Sequence, residues 1–101
     1  MSFQVEITPL AESDMDEAYL WRAQNRSPEQ AGRWYREILR VLDTLSEMPE
    51  RFSLCDEPEL KEEELRQMLF GLGGSTTHRI VFEVVGQTVR VLRVRHTGRT
   101  S

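Results

Sequence analysis

At 101 residues, with 39% hydrophobic and 30% charged side chains, the chain is long enough for a single domain, residues 1–101, with one core. No run approaches the ~20 apolar residues of a membrane span, the opening Met-Ser-Phe-Gln-Val-Glu lacks the order of a signal peptide, and cytoplasm is the expected compartment. The formal charge of −4 argues against a uniformly basic nucleic-acid binder, and the single cysteine, Cys55, has no partner for an internal disulfide and reads as an incidental or structural thiol.

Phe3 to Ile7 alternates apolar and polar residues, with Phe3, Val5 and Ile7 on one side, which predicts a short strand with one wet face. Thr8-Pro9 opens a helix, threonine as cap and proline in the first helical position. Ala11, Met15, Ala18 and Trp21 follow as a stripe, while Glu12, Asp14, Asp16 and Glu17 load the first turns with the sign the helix dipole prefers; the helix should end near Asn25. Ser27-Pro28-Glu29-Gln30 is a capping box that starts a second helix, along which Ala31, Trp34, Ile38, Val41, Leu45 and Met48, joined by Tyr35 and Leu42, keep the three–four spacing until Pro49. That spacing assigns the aromatic and methionine side chains to a core rather than to a ligand stripe, and the short link makes the two helices fold back on each other.

From Glu50 to Glu64 the periodicity stops. Asp56 to Glu64 carries six acids and one lysine, the composition of a solvated loop. The same charge also suits it to shield a cationic sheet or to meet a basic partner. Nothing spaces these carboxylates like a calcium loop and no histidine joins them, so no metal and no cofactor is expected. Leu65 to Phe70 is the next strand, and Gly71 to Thr76 is a link that lacks the Lys-Ser/Thr and following helix of a phosphate loop.

His78 to Arg99 reads as two antiparallel strands around Gly86-Gln87, a two-residue loop with glycine first, as a type II′ turn requires. Val85 opposite Thr88 sets Val84 against Val89, Phe82 against Val91 and Ile80 against Arg93, with the core face formed by Ile80, Phe82, Val84, Val89 and Val91. The other face should carry Arg79, Val81, Glu83, Arg90, Leu92, Val94 and His96, with Glu83 paired to Arg90 and with Arg93 and Arg95 alternating away. His78 falls on the core side. Leu92 and Val94 sit oddly on a wet face, so either the last strand is buried on both sides or a bulge shifts its register. The sum is an α+β domain in the order strand-helix-helix-strand-strand-strand, the helical hairpin packed on one face of a small antiparallel sheet.

Charge is unevenly distributed along this order. Residues 1–65 hold 7 basic against 16 acidic side chains, whereas residues 66–101 hold 6 arginines against Glu83 alone. The C-terminal sheet therefore presents cations on an acidic body, and arginine forks onto phosphates and carboxylates. Arg66, Arg90, Arg93 and Arg95 are candidate binding residues.

The run Arg-Ile-Val-Phe-Glu-Val, the Gly-Gln turn and Val-Arg-Val-Leu-Arg-Val-Arg-His-Thr-Gly-Arg resemble the C-terminal half of the RelE/ParE superfamily, the toxins of bacterial type II toxin–antitoxin modules, and the element order matches over nearly the whole chain. The resemblance implies a toxin neutralised by a cognate antitoxin, with either DNA gyrase or ribosome-bound mRNA as target. RNA-cleaving members place arginines where Arg79 and Arg99 stand, and some use a histidine where His96 stands, which would make His96, Arg79 and Arg99 the catalytic residues of a metal-free endoribonuclease. The chain departs from those members: it offers only Arg66 and Gln67 on the preceding strand, and no tyrosine follows Tyr35. The short ending resembles the ParE-like branch, associated with gyrase inhibition. An inactive superfamily member is the third reading.

Overall fold

The computed structural model describes residues 2–60 and 64–98. Strand β1 (Gln4–Ile7) leads into α1 (Pro9–Asn25) and α2 (Pro28–Asp43), followed by β2 (Leu54–Cys55), β3 (Leu65–Phe70), β4 (His78–Val85) and β5 (Thr88–His96). Both helix starts form as the sequence dictates. The Thr8 hydroxyl accepts from the Ala11 N–H at 3.4 Å and the Ser27 hydroxyl from the Gln30 N–H at 3.1 Å, with Pro9 and Pro28 opening the helices. The reciprocal half of the capping box is not made, because Gln30 Oε1 is buried with no hydrogen-bond partner.

The two helices cover one face of a five-stranded sheet ordered β1-β5-β4-β3-β2. Strands β3, β4 and β5 form the expected antiparallel set; β1 joins it parallel to β5, Gln4 beside Thr88 through Ile7 beside Val91, and β2 adds an antiparallel edge on β3. Between the layers lie Met15, Trp34, Ile38, Leu42 and Leu45 from the helical side against Met68, Phe70, Ile80, Phe82, Val89, Val91 and Val94 from the sheet.

The hairpin register holds from Val85 opposite Thr88 to Phe82 opposite Val91, with Gly86 at φ 61° supplying the left-handed turn conformation. It then slips. Val81 faces Arg93 and Ile80 faces Val94, so Leu92 is an extra residue in β5, the inserted position of a β-bulge. Ile80 opposite Arg93 is therefore corrected to Ile80 opposite Val94, for a physical reason: strict alternation would bury the Arg93 guanidinium in the core and leave Val94 in water. Leu92 instead joins Leu65 and Val81 in a second small cluster on the open face, covered by Cys55 and Leu60, so β5 is bulged and buried on both sides.

Three further expectations change. Helix α2 ends at Asp43 and continues as a 3-10 turn, Thr44–Ser46, with the Thr44 hydroxyl donating to the Val41 carbonyl. Met48 consequently leaves the stripe: it is 71% exposed, at φ 46°, while Leu45 remains buried. Trp21 is 41% exposed, because the end of α1 stands off β5 across a cleft rather than against it. The span from Glu50 to Leu60 is structured rather than a solvated loop, with a 3-10 turn at Pro49–Arg51, strand β2 and a buried Glu57; residues 61–63 lie outside the described residues.

Candidate functional site

The bulge decides which side chains meet. On the open face, away from the helices, Arg79 stands opposite Arg95, and Arg93 lies beside Leu92. His96 pairs with His78 on the helical side, whereas strict alternation predicts it on the open face with Arg79; the bulge reverses its side. Arg99 lies outside the described residues. Arg66 lies on the helical side at the β2 edge and donates to the Glu50 and Phe52 carbonyls at 3.2 and 2.6 Å, anchoring the turn before β2.

Among the described residues, each arginine of the open face is met by carboxylates of its own chain. Arg90 bridges Glu83 at 2.6 Å, as its cross-strand position predicts, and Glu6 of β1 at 3.0 Å. Arg93 forks onto Asp14 of α1 with bonds of 2.8 and 3.0 Å and extends to Glu59 at 3.3 Å. Asp14 also accepts from the Val94 N–H at 2.9 Å, satisfying the edge of β5 beyond the point where β1 ends. Arg95 reaches Glu57 at 3.6 Å and Glu59 at 3.2 Å, and Arg79 reaches Glu57 at 3.3 Å. The side chains of Arg79, Arg93 and Arg95 are 24%, 14% and 18% exposed, and that of Glu57 only 4%. The hydrogen bonds that Arg93 donates to Asp14 hold it above its ordinary pKa against the opposing effect of burial, and those that Arg90 donates to Glu6 and Glu83 do the same for Arg90. Burial pushes the Cys55 thiol up, away from the reactive thiolate, in keeping with its place over the second cluster.

A cleft of about 440 Å³ opens between α1 and the end of β5. Trp21 and Ala18 form one wall and His78 and His96 the floor, with Arg93, Arg95, Asp14 and Glu59 at the rim. The two imidazoles meet edge to face at 5.1 Å, and His78 packs against Trp34 at 5.2 Å. His96 Nδ1 accepts from the Gly98 N–H at 3.0 Å, which places the proton of the neutral ring on Nε2. The structure thus brings His96 together with Arg93 and Arg95 in one opening, and separates it from Arg79.

The sequence matches the ParE toxin of the type II toxin–antitoxin system, parDE, over residues 5–100. The chain belongs to this family. Its fold is also that of two solved structures. The chromosomal ParDE toxin–antitoxin system of P. aeruginosa shares 17% identity at a TM-score of 0.76, over 94% of this chain and 96% of that one. The toxin–antitoxin complex RelBE2 of Mycobacterium tuberculosis shares 19% identity at a TM-score of 0.64, over 95% and 99%. No curated protein matches the sequence. Within this ParE-family chain, Asp14, Glu57 and Glu59 are the site residues that sequence reasoning missed as individuals. The acidic composition of 56–64 hinted at shielding, but Asp14 contacts Arg93 across 79 positions, and no local pattern announces such a pair.

Proposed function

We propose that this ParE-family toxin acts by binding, with DNA gyrase as its target, and that a cognate antitoxin neutralises it. The observation that carries the first part is the state of the arginines: Arg79, Arg90, Arg93 and Arg95 are engaged by carboxylates, and Arg79 lies on the opposite face from His96. A nuclease needs a proton acceptor, a proton donor and cations around one phosphate. Among the described residues, Arg79 stands on the opposite face from His96. A recognition surface has no such requirement. The second part rests on family membership and on the two structural neighbours, both of which are toxin–antitoxin assemblies. Leu10 and Trp21, eleven residues apart on α1 and both exposed, offer an antitoxin segment apolar surface to bury as it folds.

One observation favours RelE-like cleavage of ribosome-bound mRNA as the second reading: the cleft groups His96 with Arg93 and Arg95. The two readings separate in a pair of assays on the purified toxin. Gyrase-catalysed supercoiling should fall in proportion to toxin added, while primer extension on a translating message should show no new 5′ ends. New ends at ribosome-occupied codons, lost in His96→Ala, would move the function to RNA cleavage. Silence in both assays would make the chain an inactive family member.

A further inference from the structure

The open face already holds a peptide, and it belongs to the same chain. Glu57-Pro58-Glu59-Leu60 crosses the ends of β4 and β5 with both carboxylates on arginines and the leucine against the apolar cluster of Leu65, Val81 and Leu92. Its only backbone hydrogen bond among the described residues is internal, from the Leu60 N–H to the Glu57 carbonyl at 2.9 Å. The strap is therefore seated by its side chains. Beneath it, Asp14 holds Arg93, while Arg79 and Arg95 meet the two carboxylates of the strap. Asp14 holds Arg93 through a two-bond fork that does not involve the strap, so part of the receptor stays ordered when the strap leaves.

We propose that this face is a receptor for an acidic peptide of the pattern Glu-x-Glu-Leu, occupied in cis by Glu57–Leu60 and taken over by a partner protein segment carrying the same pattern. Two carboxylates two residues apart satisfy Arg79, Arg93 and Arg95, and the following apolar side chain fills the place of Leu60. The exchange replaces like with like, so no buried guanidinium is left unpaired at its end. A tethered occupant competes at an effective concentration of the order of millimolar, so the exposed receptor is a minor state and an incoming segment binds with an affinity reduced by that fraction. The receptor shares Arg93 and Arg95 with the cleft that holds His96, so it is tested against RNA as well as against the peptide.

The test uses the full chain and a fluorescein-labelled, end-blocked peptide of the sequence Asp-Glu-Pro-Glu-Leu, followed by fluorescence anisotropy at low salt. Glu57→Gln/Glu59→Gln weakens the strap's hold and should bind this peptide at least tenfold more tightly than the unaltered chain. Adding Arg95→Ala, or replacing both peptide glutamates by glutamine, should remove that gain. Equal binding by the two proteins, or binding indifferent to the peptide's charges, overturns the proposal. Tighter binding of a single-stranded RNA decamer than of the peptide also overturns it and marks a nucleic-acid site instead. Should the double variant fail to fold, Leu60→Ser loosens the strap with its charges intact and should give the same order of affinities. In the unaltered chain, excess unlabelled peptide should speed hydrogen exchange at the Leu60 amide; unchanged exchange at saturation means that the strap never yields.

Discussion

Trp34 lies fully buried where α2 meets the sheet, its ring 6.1 Å from Phe70 and 5.2 Å from His78. Truncation to alanine empties the largest side chain of the core, and Trp34→Ala should cost about 3–5 kcal/mol in urea unfolding. Trp34→Phe should cost less than half as much, since the buried indole N–H, which has no hydrogen-bond partner, leaves with the ring. Tyr35 carries a pH dependence of its own. Burial first, and then the charges of Asp16 and Glu12, raise its pKa above the ordinary 10.0, so the folded state favours the neutral phenol. That contribution is complete below pH 10 and is lost as pH rises through the higher folded value. Tyr35→Phe should flatten this part of the alkaline stability curve; an unchanged slope would place the effect elsewhere.

Among the elements, β5 was the least legible. Its face pattern is readable up to Val91 and then conflicts with itself, since Leu92, Arg93 and Val94 satisfy no single alternation. The conflict was visible in the residues, and the bulge is its physical resolution. Deleting Leu92 should restore regular pairing, Arg93 opposite Val81 and Val94 opposite Ile80, with both side chains on their present faces. The fold should survive with a loss of about 1.5–3 kcal/mol for the buried leucine, read from denaturant midpoints. Loss of cooperative unfolding would show that the kink itself is needed, for instance to bring the Val94 N–H to Asp14. The helices were legible almost throughout because caps and spacing are local signals. Their ends were less so: Met48 leaves the core because α2 stops at Asp43, and Trp21 because it lines the cleft between α1 and β5.

At the scale of the whole molecule, the first and last strands meet in one sheet. Gln4 donates to the Gln87 carbonyl at 2.8 Å, and Thr8 donates to the Val91 carbonyl through both its N–H, at 3.1 Å, and its hydroxyl, at 2.7 Å. Val5 and Ile7 pack onto the core beneath. Removing residues 1–7 should therefore cost on the order of 5 kcal/mol, most of a small domain's stability, and abolish a cooperative thermal transition in far-UV circular dichroism. A sharp transition in the shortened chain would mean that β5 is self-sufficient as an edge.

The two helices with their caps, the Gly86 hairpin and the α+β class are legible in the residues because capping, alternation and turn chemistry act over a few positions, and the resemblance of the run ending His-Thr-Gly-Arg pointed to the toxin superfamily. What the arginines of the last two strands face is set by the completed fold. Their partners, Asp14, Glu57 and Glu59, come from α1 and from the segment after β2, brought within bonding distance by the sheet and by one extra residue in β5. Ion pairing depends on distance in space, and sequence encodes that distance only through the completed fold.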